Sequence, residues 1–173
     1  RTLIYAHSKN MREIIEPPTT TANQEPKIEY VWGGNSCLLS NKNSKNININ
    51  TALHGYDCSG LILSTAQLCG INYFYKNSLT ASCYLEQITD YQKIQEGDII
   101  WMPGHVIIIS DLKNNLCIEA NGYYKSVHEI KLDKIFFKID SFAKLLKQKN
   151  LFRIMPDGKL IKINKFKILA LPN

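Results

Sequence analysis

A short turn that leads into an apolar helix constrains this chain more than any other feature. The turn is Gly55-Tyr56-Asp57-Cys58-Ser59-Gly60, and a largely apolar stretch from Leu61 to Leu68 follows it. Asp57 is a favoured N-cap residue, so we expect a helix that begins at Cys58. Gly60 would let another part of the chain approach closely, and the apolar stretch would fix the helix in a core.

The place of Cys58 at the start of this helix makes it a candidate nucleophile. A helix N-terminus presents unpaired N–H groups and a partial positive charge, and both stabilise a thiolate. Together with a nearby imidazolium, this environment lowers the pKa of a cysteine from about 8.5 to roughly 3.5–7.5. The alternative role for Cys58 is that of a small buried hydrophobic residue. A partner histidine in the right setting would favour the nucleophile.

His105 is the histidine with the best setting for that partnership. It follows a predicted strand, Asp98–Met102, and a Pro-Gly turn, and it begins a second strand, His105–Ser110, that is rich in β-branched residues. Such a strand would hold the backbone of His105 rigidly. We expect structural or solvated positions for the other three histidines, His7, His54 and His128.

Four segments, taken in order along the chain, match the motifs of a known family. They are Tyr30-Val31-Trp32-Gly33-Gly34, Asp57-Cys58-Ser59-Gly60-Leu61, Gly97-Asp98-Ile99-Ile100 followed by Pro103-Gly104-His105-Val106, and Ile118-Glu119-Ala120. In this order they resemble the motifs of the NlpC-type cell-wall cysteine peptidases, a papain-like group that cuts peptidoglycan stem peptides. The joint occurrence of the segments is much more specific than any one of them.

The resemblance implies a catalytic set of three residues. Cys58 would be the nucleophile, His105 the base and Glu119 the group that orients His105. Cys117 lies two residues before Glu119 on the same strand face, and it is the competing candidate for the site-facing position. A carboxylate is the better group for stabilising an imidazolium. By the same resemblance, the reaction needs no metal and no organic cofactor.

The same motifs supply the residues that are implied to bind substrate. Asp57 and Ser59 match positions that in relatives contact the free amino end of the substrate. Periodicity alone leaves Tyr30 open between a core position and the cleft. The resemblance favours the cleft, where the phenol would bind substrate or stabilise an oxyanion. We expect Trp32 to pack beneath the site, with the two glycines after it forming a tight turn.

The predicted fold class is α+β and, by the resemblance, papain-like. The nucleophile helix would pack on a central antiparallel sheet that carries His105 and Glu119, so that cysteine and histidine meet across the helix–sheet interface. Further strands are predicted at Leu116–Ala120, Ser126–Ile130, Leu151–Met155 and Leu160–Leu171. Further helices are predicted at Asn77–Gln87, with Ser78 or Thr80 as its cap and Cys83 in the core, and at Asp140–Leu146.

The chain has 173 residues, the length of one domain. We divide it into an N-terminal helix and linker, 1–27, which could belong to an accessory element, and a peptidase domain, 28–173. The polar stretch 35–53, rich in Asn, Lys and Ser, predicts a long insertion ahead of the nucleophile helix. The insertion either borders the cleft and restricts substrates or is a tolerated surface loop.

Composition and charge argue against several partners. The net charge is +6 and the pI about 9.0, but the basic residues are dispersed rather than gathered into a stripe, so we expect no nucleic-acid partner. No apolar run reaches about 18 residues, so we expect no membrane span. The five cysteines lack the CxxC spacing of a zinc site or a redox pair. We expect a monomer.

The chain opens on Arg1 rather than on methionine and shows no charged-then-apolar leader, so we expect a mature or trimmed fragment. The resemblance implies a periplasmic, cell-envelope or secreted protein. Its substrate would be peptidoglycan or a muropeptide, cut at the γ-D-glutamyl to diamino-acid bond through a thioester acyl-enzyme. The alternatives are a papain-like wall amidase or acyltransferase and a secreted wall-degrading toxin. An inactive wall-binding module is disfavoured, because competent residues fill all three catalytic positions.

Overall fold

The computed structural model describes residues 28–36 and 55–172 of the chain. The predicted N-terminal helix and linker, 1–27, lie outside the described residues. So does most of the predicted insertion, of which only Asn35 and Ser36 are described.

The described residues form ten strands and four α-helices. The strands are β1 (Asn35–Ser36), β2 (Gly55–Tyr56), β3 (Gln87–Ile88), β4 (Ile99–Met102), β5 (His105–Asp111), β6 (Leu116–Asn121), β7 (Ser126–Lys131), β8 (Leu151–Ile154), β9 (Leu160–Ile163) and β10 (Lys167–Leu169). The helices are α1 (Cys58–Leu68), α2 (Ser78–Tyr84), α3 (Leu132–Ile135) and α4 (Phe142–Leu146). None of these helices combines the length and the apolar character needed to cross a membrane.

Six of the strands form one antiparallel sheet in the order β3-β10-β4-β5-β6-β7. Strands β4 to β7 follow one another as a meander, whereas β10 returns near the end of the chain to lie between β3 and β4. Strands β8 and β9 form a separate antiparallel hairpin, and β1 pairs with β2. This mixed architecture with a large antiparallel sheet confirms the predicted α+β class.

The sheet buries both of its faces, because apolar residues occupy alternate positions on either side of its central strands. Helix α1 packs on the first face, in a cluster that includes Leu61 and Ile118. The second face is covered by α3, α4 and the start of β8, in a cluster that includes Ile107 and Phe136. Adjacent residues of β5 and β6 therefore face opposite sides of the sheet.

The strands predicted between Asp98 and Ile130 are confirmed as β4 to β7, each to within one residue at its ends. The predicted strand Leu160–Leu171 is divided instead. The polar pair Asn164-Lys165 interrupts it, so that β9 pairs with β8 while β10 joins the main sheet.

Helix α2 corrects three predictions, which concern its cap, its end and the burial of Cys83. Its N-cap is Asn77, whose side-chain oxygen accepts a hydrogen bond from the Thr80 N–H at 2.8 Å, so neither Ser78 nor Thr80 is the cap. The helix also ends at Tyr84, earlier than predicted. Cys83, which was predicted to be in the core, is exposed, because this short helix buries only Ala81 and Ser82.

Candidate active site

The start of helix α1 is held by the Asp57 carboxylate. Its Oδ1 atom accepts hydrogen bonds from the Gly60 N–H at 2.6 Å and from the Ser59 hydroxyl at 3.0 Å. Its Oδ2 atom accepts the Gly33 N–H at 3.0 Å. The predicted N-cap is thus confirmed, and the same carboxylate ties the turn at Gly33 to the residue before Cys58.

Gly60 allows another segment of the chain to approach the start of α1 closely, as predicted for a glycine at this position. A Cβ atom added at Gly60 would overlap the carbonyl oxygen of Gly34, so any other residue would push the two segments apart. The Gly34 carbonyl also accepts the Asp57 N–H at 3.0 Å. These contacts fix the segment from Tyr30 to Asn35 against the start of the helix, and with it the side chains that flank Cys58.

His105 and Glu119 are brought together by the pairing of β5 with β6. Nε2 of His105 lies 2.8 Å from Oε2 of Glu119. The His105 side chain is 18% exposed and that of Glu119 only 1% exposed, so the carboxylate lies behind the imidazole as seen from solvent. Cys117, the competing candidate, is fully buried among the apolar residues of the second face. Of the two, it is Glu119 that contacts His105.

Glu119 has three further neighbours. Nη2 of Arg153 lies 2.8 Å from Oε2 and 3.2 Å from Oε1, and Nδ2 of Asn121 donates to Oε1 at 3.0 Å. Nε2 of His128 lies 3.5 Å from Oε1. Burial alone would raise the pKa of Glu119, but the contacts with His105, His128 and Arg153 outweigh it and hold that pKa well below its usual range. The carboxylate is therefore charged.

The sequence analysis did not identify three of these residues as part of the site. His128 was expected to be structural or solvated, although it is the cross-strand partner of Glu119 in β6–β7 pairing. Asn121 follows Glu119 by two residues, so strand alternation could have placed both on one face. Arg153 lies 34 residues after Glu119 in sequence, on another hairpin, and no local pattern predicts that contact.

The environment of Cys58 differs from the one expected. Burial raises the pKa of the Cys58 thiol; the Val106 backbone N–H opposes this, and the Asp57 carboxylate adds to it. The helix start does lower this pKa, through the backbone N–H groups of Cys58 and Ser59, but burial outweighs them and the pKa is raised rather than lowered. The physical reason is that loss of hydration penalises the thiolate more than the backbone donors favour it. Proton transfer to a base would be needed to generate the charged nucleophile at neutral pH.

A cavity of about 560 Å³ brings the candidate residues onto one surface. Its lining includes Tyr30, Trp32, Cys58, His105 and Arg153. Strand alternation assigns His105 and Glu119 to the sheet face opposite α1. Cysteine and histidine line a common cavity at the start of β5, where the Val106 backbone N–H contacts the Cys58 sulfur.

Two aromatic residues flank this cavity in different ways. Trp32, predicted to pack beneath the site, is 82% exposed at the cavity surface, so that prediction is wrong: Trp32 is itself a corner residue of the turn that the Gly34 N–H closes onto the Val31 carbonyl at 2.8 Å. Tyr30 is partly buried beside Cys58, and its ring lies so close to Gly122, 3.0 Å from where a Cβ atom would be, that a side chain there would require the ring to shift. Burial and the nearby Cys58 and Asp57 raise the pKa of Tyr30, so its phenol keeps its proton and can donate a hydrogen bond.

The other two residues expected to bind substrate, Asp57 and Ser59, lie next to the cavity rather than among the residues that line it. Ser59 is buried, and its hydroxyl lies 3.0 Å from Oδ1 of Asp57 and 3.1 Å from the Lys76 carbonyl, two acceptors that share its single proton. Both side chains support the start of α1 in the structure.

A thiol and an imidazole on the wall of one cavity, with a charged carboxylate behind the imidazole and a neutral phenol beside the thiol, form a set that is suited to nucleophilic attack on a carbonyl. A comparison with curated proteins finds no significant match. A family model does match: the NlpC/P60 family, over residues 27–146. That range contains Cys58, His105 and Glu119 and covers more than half of the chain, which therefore belongs to the NlpC/P60 family.

Proposed function

We propose that this protein is a cysteine endopeptidase that hydrolyses an amide bond of the peptidoglycan stem peptide. NlpC/P60 proteins are in general peptidases of the bacterial cell wall, which gives the substrate class. The observation that carries the proposal is the shared cavity of Cys58 and His105, with Glu119 in contact with His105. The protein would act in the periplasm, in the cell envelope or after secretion.

In the first step, the Cys58 thiol gives its proton to His105 and its sulfur attacks the amide carbonyl carbon. Because burial raises the pKa of Cys58, its thiol stays protonated at neutral pH unless a base accepts the proton, and His105 is the proposed base. Glu119 would stabilise the imidazolium through the 2.8 Å contact. The backbone N–H of Cys58 and the Tyr30 hydroxyl are the proposed donors to the oxyanion.

In the second step, the tetrahedral intermediate collapses to a thioester, and the imidazolium of His105 gives its proton to the leaving amine. A water molecule then transfers a proton to His105 and attacks the thioester carbonyl. Collapse releases the carboxylic acid and returns the proton to the sulfur of Cys58. The cycle leaves the protein unchanged and consumes one water for each amide bond that is cut.

The bond we propose is the one between γ-D-glutamate and the diamino acid of the stem. In this proposal, Asp57 and Ser59 contact the free amino end of the substrate, beside the cavity that Tyr30 lines. The Asp57 carboxylate raises the pKa of both Tyr30 and Cys58, which supports its proximity to the reacting groups. Its hydrogen bonds to Gly60 and Gly33 give Asp57 a capping role as well.

A second candidate function is that of an acyl-amide hydrolase or acyltransferase built on the same site. The observation that favours it is the apolar character of one cavity wall, formed by Met155, Ile161 and Ile163 of the β8–β9 hairpin and its turn. Such a wall would suit an aliphatic acyl group better than a charged stem peptide.

Product analysis separates the two candidates. Purified muropeptides and a set of fatty acyl amides are each incubated with the wild type, and the products are identified by mass spectrometry. We expect cleavage of muropeptides between D-glutamate and the diamino acid, and no acyl release from the amides. Acyl release with intact muropeptides would reject the peptidase and favour the second candidate.

A further inference from the structure

We propose that Arg153, on strand β8, is a positioning residue that holds the Glu119 carboxylate against His105. The NlpC/P60 match ends at residue 146, and β8 begins at Leu151, so the hairpin lies beyond the matched range. The inference rests on the proposed function, which assigns the general base to His105.

The first support is the geometry of the Arg153–Glu119 contact. One guanidinium nitrogen reaches both carboxylate oxygens, at 2.8 Å and 3.2 Å, and Nε2 of His105 lies 2.8 Å from the same Oε2 atom. The Arg153 side chain is 11% exposed and that of Glu119 1% exposed, so the pair is largely removed from water. A contact of this kind restricts the carboxylate to one orientation.

The second support is the anchoring of the hairpin. Arg153 forms a backbone bridge with Phe136, and the Phe137 N–H donates to the Phe152 carbonyl at 2.9 Å. Leu151 at the start of β8 is 1% exposed, within the cluster on the second face of the sheet. The backbone of Arg153 is therefore fixed from both flanks, as required of a residue that orients another.

The third support is the charge balance around Glu119. The groups that face it are His105 from β5, His128 from β7 and Arg153 from β8, together with Asn121 and Cys117 from its own strand. Of these, Arg153 is the cation whose charge does not depend on pH in the range where proteins fold. A buried carboxylate that must stay ionised while His105 gains and loses a proton requires such a partner.

The test compares Arg153→Met, Arg153→Lys and the control Lys159→Met. Lys159 is a cation on the same hairpin whose exposed pair with Asp157 lies at 2.9 Å, so its loss removes charge without touching Glu119. Two rates are measured against pH for each variant: kcat/KM on a muropeptide, and alkylation of Cys58 by iodoacetamide, located by peptide mapping. Arg153→Gln replaces Arg153→Met if circular dichroism shows that the latter is unfolded.

We expect Arg153→Met to lose about tenfold or more in kcat/KM, mainly in kcat. Removing a cation raises the pKa of every group that it faces. The acid limb of each pH profile, where the rate falls as the pH is lowered, should therefore move to higher pH, by about one unit for kcat/KM. Arg153→Lys should restore the position of the limb but only part of the rate, and Lys159→Met should match the wild type.

The proposal would be overturned if Arg153→Met or Arg153→Gln is folded and both of its rates fall off at the same acidic pH as in the wild type. A lower melting temperature of that variant would not change this conclusion. The alkylation profile needs no substrate, so it tests Arg153 independently of the reaction. A shifted alkylation limb in a protein that cuts no muropeptide would uphold the positioning role and reject only the proposed substrate.

Discussion

Nε2 of His105 lies 2.8 Å from the Oε2 atom of Glu119, and this contact determines which ring nitrogen is left for chemistry. Because Glu119 is charged and can only accept a hydrogen bond, Nε2 of His105 must be the donor. In the neutral ring, Nδ1 then has the free lone pair. Nδ1 is therefore the atom that would take the proton of Cys58.

The first prediction compares the two candidates for the orienting residue. Glu119→Gln should lower kcat/KM by about tenfold to a hundredfold, because an amide cannot stabilise the imidazolium as a carboxylate does. Cys117→Ser should change it by less than about threefold, since Cys117 lies among apolar residues and does not contact His105. Steady-state assays on a muropeptide give the ranking, and the reverse order would refute the role of Glu119.

The second prediction concerns the proton on Cys58. Because burial raises the pKa of this thiol, its ionisation at neutral pH should depend on His105. In His105→Ala, alkylation of Cys58 by iodoacetamide should become fast only above about pH 8.5, the range of an ordinary thiol or higher. The wild type should react at lower pH.

Peptide mapping assigns the label to Cys58 and excludes the exposed Cys83. Identical pH profiles for the wild type and His105→Ala would contradict a role for His105 as the base.

The third prediction follows from the charge on Glu119. Its folded-state pKa lies below the value of about 4.3 in an unfolded chain, so below about pH 5 the unfolded state takes up a proton that the folded state does not. The stability that Glu119 contributes is thus present above that range and is lost as pH falls. Replacing Glu119 by Gln should make the free energy of unfolding less dependent on pH, by up to about 1.4 kcal/mol per pH unit.

Urea unfolding at pH 3, 4, 5 and 7 measures this dependence, and Glu86→Gln, which makes the same change at an exposed carboxylate, serves as the control. Parallel curves for the wild type and Glu119→Gln would show that Glu119 has no lowered pKa.

The fourth prediction separates the two roles of Asp57. Asparagine caps helices about as well as aspartate. If Asp57 only caps α1, Asp57→Asn should therefore change kcat/KM little, and by the same factor for every substrate. A carboxylate that also pairs with the substrate ammonium would contribute about 1.5–3 kcal/mol, or roughly tenfold to a hundredfold in kcat/KM. We expect the second outcome, with acetylation of the substrate amine costing a similar factor.

The two changes should be less than additive, because each removes the same interaction. A double cycle of wild type and Asp57→Asn on free and N-acetylated L-Ala-γ-D-Glu-diaminopimelate measures this, with thermal melts as a folding control. If the wild type cuts both substrates equally well, no free amine is recognised, and intact glycan-attached stems become the preferred substrate.

Local chemistry made much of this structure predictable from the sequence. Asp57 capping α1, the strand that begins at His105 and the meander through β7 all follow from short patterns whose physical cause lies within a few residues. The close approach at Gly60 was also predictable, because glycine weakens a helix but allows another segment to lie against its backbone.

Properties that depend on tertiary packing could not be predicted in this way. The pKa of Cys58 depends on how deeply the helix start is buried. The exposure of Trp32 depends on how its turn is placed against the rest of the fold. Arg153 reaches Glu119 from a hairpin whose position relative to the sheet no local pattern specifies. Sequence motifs therefore indicated the candidate reacting groups, whereas the groups around Glu119 became apparent only in the fold.

The most direct test of the central claim is the hydrolysis of L-Ala-γ-D-Glu-diaminopimelate by wild type and Cys58→Ala. The substitution removes the sulfur with little change in volume, so circular dichroism should show an unchanged fold. Release of diaminopimelate is followed by mass spectrometry at equal enzyme concentrations. We predict release by the wild type and none above background by Cys58→Ala. Equal release by both proteins would contradict the assignment of Cys58 as the nucleophile.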